Sequence, residues 1–228
     1  MISKEDKDKA AKLEDKVQEL RRCVVLGVKG FEIGSHVGDK SLDHESFYPL
    51  YKTCQDLNVT LFVHPWDMHN WDGRLNDYWM PWLVGMPSET AQAVCSVLMG
   101  NVLTTFPHLK LCFAHGGGSY PIIRARVAHG YKVRPDICAT KCADLPQELD
   151  QKLYFDSLVH DPNALELLLK CFGEDKIVLG TDYPFPLGEL DIGKVVEEHP
   201  MDRDRKDQIL WSNAVKMFDL DEKTLFSL

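Results

Sequence analysis

Five short apolar runs constrain this chain more than anything else in it: FEIGSH, VTLFVHP, LKLCFAH, LYFDS and KIVLG, beginning at residues 31, 59, 109, 153 and 176. Each has strand character, and each is followed by a segment whose apolar positions recur at helical spacing. Phe47, Leu50, Tyr51, Cys54 and Leu57 trace one such helical face. Further helices are expected from about Glu89 to Thr105, from about Pro121, and from Asp204 to Phe218. Asp161 and Pro162 stand where an N-cap and a first helical residue belong, ahead of NALELLLKCF. Strands that alternate with helices form a parallel sheet. No linker divides the 228 residues, so one α/β domain over 1–228 is expected. An amphipathic helix is expected from Ala10, through Leu13, Val17, Leu20 and Val24, with residues 1–9 left as a disordered or atypical extension.

A net charge of −9 and a pI near 5.4 argue against nucleic acid or an anionic membrane as the main partner. The charged opening MISKEDKDKAAKLEDK is not a secretory signal, and no apolar run approaches the roughly 18 residues that would span a bilayer. Seven scattered cysteines without a Cys-x-x-Cys pair point to a reducing cytosol rather than to a disulfide framework or zinc knuckle.

Three of the runs deliver chemistry at their ends: His64 after TLFV, His115 after LCFA, and Asp182 after IVLGT. In βα proteins the carboxyl ends of the strands are where ligands and catalytic groups gather. Imidazole and carboxylate together suit a metal such as zinc, which takes three protein ligands and a water in catalytic sites. His64 and Asp182 are the persuasive ligands, and His115 is a candidate third. Glycines 116–118 follow His115. They permit left-handed backbone and close approach, either to cradle an anionic group with their N–H groups or to form a tight strand-to-helix turn. His36, at the end of GFEIGSH, is near the same mouth; the remaining histidines are expected on the surface or in loops.

The blocks LFVHPWDM, YWMPWLVGMPSET, CFAHGGGSYP, LVHDP and VLGTDYPFPLGEL resemble the amidohydrolase superfamily. Within it they are similar to the zinc-dependent decarboxylase family that acts on 2-amino-3-carboxymuconate 6-semialdehyde in tryptophan catabolism through kynurenine. The resemblance covers about residues 10–220. It implies a (β/α)8 TIM-type barrel with the metal at its C-terminal mouth, a cytosolic homodimer and a small anionic substrate. His64 and Asp182 then correspond to Zn2+ ligands and His115, with Asp182, to the catalytic pair, His115 helping to activate water. Arg126 matches an arginine lent across the dimer interface to a substrate carboxylate, and Trp79 an aromatic beside the substrate.

The family's pattern opens with a strand carrying His-x-His, which supplies two zinc ligands. This sequence contains no His-x-His. Its five runs match the family's fourth to eighth strands, so an incomplete, N-terminally shortened barrel is expected, with two unpaired sheet edges and a half-covered inner face. The opening helix is expected to cover part of that face. Two activities follow from this: a catalytic portion of a decarboxylase, or an inactive partner of a full-length subunit. A third reading is a related decarboxylase or hydrolase acting on an aromatic acid.

Overall fold

A computed structural model describes residues 4–221 apart from positions 69 and 71. After helix α1 (Lys4–Val25) come β1 (Gly30–Gly34) and a short antiparallel pair, β2 (His36–Val37) with β3 (Lys40–Ser41). Helix α2 (Tyr48–Asp56) leads to β4 (Thr60–His64). Helices α3 (Met86–Met99) and α4 (Val102–Thr105) precede β5 (Lys110–Phe113), and α5 (Tyr120–Val133) follows it. Then come β6 (Tyr154–Asp156), the helix Pro162–Phe172 and β7 (Ile177–Val178).

The five longer-range strands form one sheet in the order β1-β4-β5-β6-β7, all parallel. That order follows the chain without reversal. It is the arrangement of a barrel wall, whereas a doubly wound sheet reverses direction at a switch point. The fold is therefore a TIM-type α/β architecture with five of its βα units, and β1 and β7 are the two edges of the arc.

Alternation along the strands explains both faces. Leu61, Val63, Leu111, Phe113, Phe155 and Ile177 are fully buried in the main core, between sheet and helices. Burying a side chain of that size stabilises the fold by about 2–3 kcal/mol. The opposite, inner face carries Phe62, Cys112, Tyr154 and Val178, which pack against Ala214, Met217 and Phe218. These last belong to the helix Asn213–Phe218, the last among the described residues. Thr60 Oγ1 and Lys110 Nζ both donate to the Met217 carbonyl, at 3.0 and 2.9 Å, fixing this helix beneath the inner face at the strands' N-terminal ends. Among the described residues no side chain of the opening helix does this, contrary to expectation. Helix α1 packs against α2 on the outside, burying Leu20.

Other boundaries move for local reasons. Helix α1 begins at Lys4 rather than Ala10, because its first turns are lysine- and alanine-rich and carry no apolar period to mark them. The helix expected to reach Thr105 ends at Met99, where Asn101 adopts a left-handed φ of 67°. The expected run from Asp204 is helical from Arg203, with wider π spacing over Gln208–Ser212. KIVLG contributes only two paired residues, Ile177 and Val178.

The β7 edge is capped from within. Buried Asn213 donates through Nδ2 to the carbonyls of Ile177 and Glu174, each at 2.7 Å. Asn213→Ala is expected to cost about 2 kcal/mol by stranding both carbonyls. A urea unfolding midpoint unchanged by the substitution would show that those carbonyls find other partners.

Candidate active site

The three strand-end groups converge. His64 closes β4, His115 follows β5 through Ala114, and Asp182 follows β7 in a left-handed conformation. His64 Nε2 lies 3.2 Å from Asp182 Oδ1, and His115 Nε2 lies 3.6 Å from the same oxygen. The two imidazoles meet edge to face, with ring centroids 4.9 Å apart. One ligand atom from each residue falls within 4.8 Å of the others. In a tetrahedral zinc site with bonds near 2 Å, ligand atoms are about 3.3 Å apart, so this donor set fits a divalent ion.

The glycines beside His115 work inside the protein. Residues 115 to 118 all have positive φ, from 55° to 79°. A Cβ at Gly116 would meet Val159 at 2.6 Å, one at Gly117 the Phe155 ring at 2.8 Å, and one at Gly118 the Pro87 carbonyl at 2.3 Å. Their amides are engaged as well: Gly116 N donates to Asp156 Oδ1 at 2.9 Å, Gly117 N to Ala114 O and Gly118 N to His115 O. The anion-cradle alternative therefore falls, and the tight-turn alternative holds. Asp156, buried on the inner face at the end of β6, also accepts from Leu158 N at 3.1 Å. Burial pushes its carboxyl above the usual range, opposed by the His115 charge and by backbone N–H groups. Burial likewise pushes His115 below its ordinary value, opposed first by Asp156.

Two cavities open on either side of Asp182. The larger, about 410 Å3, is walled by His64, Trp66, Met68, Trp79, Trp82 and Phe185. The smaller, about 280 Å3, includes His115, Gly118, Val159 and His160.

The model of the family described as "Amidohydrolase" matches residues 11–220. This chain belongs to that family. Among curated relatives, it is 59% identical over 240 residues to 2-amino-3-carboxymuconate-6-semialdehyde decarboxylase of Caenorhabditis elegans, covering 92% of this chain and 60% of the relative. It is 47% identical over 210 residues to the Dictyostelium discoideum protein of that name, covering 91% and 58%. The chain thus spans about 60% of the length of these relatives. Its fold matches 5-carboxyvanillate decarboxylase from Sphingomonas paucimobilis, with a TM-score of 0.79 at 21% identity, over 93% of this chain and 63% of that one. It also matches a Polaromonas dihydroxybenzoic acid decarboxylase with bound manganese and an inhibitor, with a TM-score of 0.78 at 22% identity, over 95% and 68%.

In this chain Trp79 walls the larger cavity, held at a left-handed φ of 59° with its ring 6.0 Å from that of Trp82. Arg126 is elsewhere: it is exposed on α5, borders neither cavity, and makes no hydrogen bond or ion pair among the described residues. His36 does approach the mouth, with Nε2 3.3 Å from the Asp67 carbonyl in the loop after His64. His44 caps a short helical turn. His199, expected on the surface, is buried against Glu166 at 3.1 Å, and His69 lies outside the described residues. Asp156 and His160 were not singled out from sequence. Asp156 ends a strand as His64 and His115 do, which was a usable signal, and His160 sits in the LVHDP block.

Proposed function

We propose that this chain carries the catalytic residues of a metal-dependent decarboxylase acting on 2-amino-3-carboxymuconate 6-semialdehyde, giving 2-aminomuconate semialdehyde and CO2. The single observation that carries the reading is the convergence of His64, His115 and Asp182 in a chain 59% identical to a decarboxylase of that name. His64 and Asp182 would hold a divalent ion, with zinc as the proposed metal. Bound there, the ion would supply Lewis acidity, polarising substrate and acidifying water. His115 accepts a proton from water at the nitrogen now facing Asp182 Oδ1 and delivers it to the carbon that loses the carboxylate. The electron pair of the broken C–C bond stays on that carbon as CO2 leaves, and the hydroxide left from water is released. Asp156 keeps the His115 turn in register through the Gly116 amide. The aromatic walls formed by Trp79 and Trp82 offer apolar faces to a flat conjugated substrate. Arg126, exposed on α5, is the group proposed to reach the site of a second copy in a homodimer.

The test is a chimera in which the unmatched part of the C. elegans relative precedes residues 11–228. The expected result is metal-dependent loss of the substrate's near-ultraviolet absorbance faster than its spontaneous decay. A folded, metal-loaded chimera without turnover would overturn the reading. The absence of His-x-His from this sequence favours a second reading for the chain by itself, an inactive dimer partner. The 228-residue chain is accordingly expected to bind zinc substoichiometrically, since so few donors hold the ion less tightly than a full set. One zinc per chain retained through dialysis against a chelator would contradict this.

A further inference from the structure

The cavity on the His115 side of Asp182 contains a hydrogen-bond donor that the mechanism leaves unused. Neither this cavity nor its aromatic neighbour is lined by a lysine or arginine among the described residues. Several of the backbone amides around the smaller one are engaged. Gly118 N donates to His115 O, Val159 N to Ser157 O, Leu158 N to Asp156 and Ala164 N to Asp161. His64 and His115 face Asp182. The side-chain donors left over are the Trp82 indole and His160. His160 is exposed at the rim and has no hydrogen bond or ion pair among the described residues. Its backbone is nevertheless fixed, at a φ of 59°, because Leu158 is tied to Asp156 on one side and Asp161 caps the helix Pro162–Phe172 on the other.

We propose that His160 recognises a carboxylate of the substrate, donating an imidazole N–H to it from the rim of this cavity. The proposal rests on the decarboxylase reading, which requires a substrate bearing carboxylates. An imidazole donates an N–H whether neutral or charged, and when charged it also offsets the anion, which an indole cannot do. The carboxylate it suits is the one the substrate keeps. A donor held against the departing group would stabilise the ground state and oppose loss of CO2. His160 is therefore a residue for substrate recognition, distinct from the proton-transfer role of His115.

Calorimetric titration of the 228-residue chain with trans,trans-muconate, and separately with its dimethyl ester, tests this. His160→Ala is expected to weaken muconate binding about tenfold, leave the ester unchanged, and be rescued for muconate by His160→Arg. Trp82→Phe is expected to weaken both probes alike. If His160→Ala affects both probes equally or neither, or if Trp82→Phe alone weakens muconate selectively, the assignment of His160 is wrong while the decarboxylase reading stands. Failure of the unaltered chain to bind muconate would overturn the assignment of His160, whereas the decarboxylase reading stands or falls with turnover of the chimera.

Discussion

In the active chimera, His115→Ala is expected to reduce turnover about 10²–10⁴-fold while the metal content stays unchanged. His64 Nε2 lies within hydrogen-bonding distance of Asp182 Oδ1, at 3.2 Å, whereas His115 Nε2 stands off at 3.6 Å on the side of the smaller cavity. A ligand pair made of His64 and Asp182 leaves His115 beside the ion, where it can exchange a proton with water or substrate. Metal analysis and a rate measurement on the same sample separate the two roles. If metal and turnover fall together, His115 is a ligand and the base lies elsewhere.

Gly118→Ala is expected to destabilise the fold by about 4 kcal/mol, enough to unfold a marginally stable domain. Gly118 has φ 63° and ψ −129°, a region essentially reserved for glycine. The added Cβ would lie 2.3 Å from the Pro87 carbonyl and 2.9 Å from Pro87 Cα, atoms of the first turn of α3 that cannot rotate away. Helix α3 would have to move off the His115 turn. Gly38→Ala is the matched comparison: its φ is 61°, but nothing lies within 4 Å of the added Cβ. That change is expected to cost only the left-handed strain, about 1 kcal/mol. Similar losses for the two variants, measured by chemical denaturation, would show that the contact with Pro87 is easily relieved.

These two residues mark where sequence reasoning held and where it stopped. His64, His115 and Asp182 were legible because each ends a β-branched or apolar run, and parallel strands bring such ends together whatever the loops do. The work of the glycines was not, because their partners come from distant segments: Asp156 lies forty residues on from Gly116, and Pro87 precedes Gly118 by thirty-one. A run of three glycines carries the same local signal whether its amides face a ligand or a buried carboxylate. The covering of the inner face was hidden for a related reason. Met217 and Phe218 look like the apolar stripe of any terminal helix, and only the hydrogen bonds from Thr60 and Lys110 to Met217 show which face of the sheet they reach. His160 is an exposed loop histidine, as expected, and its place at the rim of a cavity has no sequence signal because a loop residue carries no periodicity.

The measurement that bears most directly on the account is anomalous scattering at the zinc edge from crystals of this chain soaked in zinc. The account predicts a peak within bonding distance of His64 Nε2 and Asp182 Oδ1, with the His115 ring beside it at the wall of the smaller cavity. A peak bound by other residues, or crystals in which these three side chains lie apart, would contradict it.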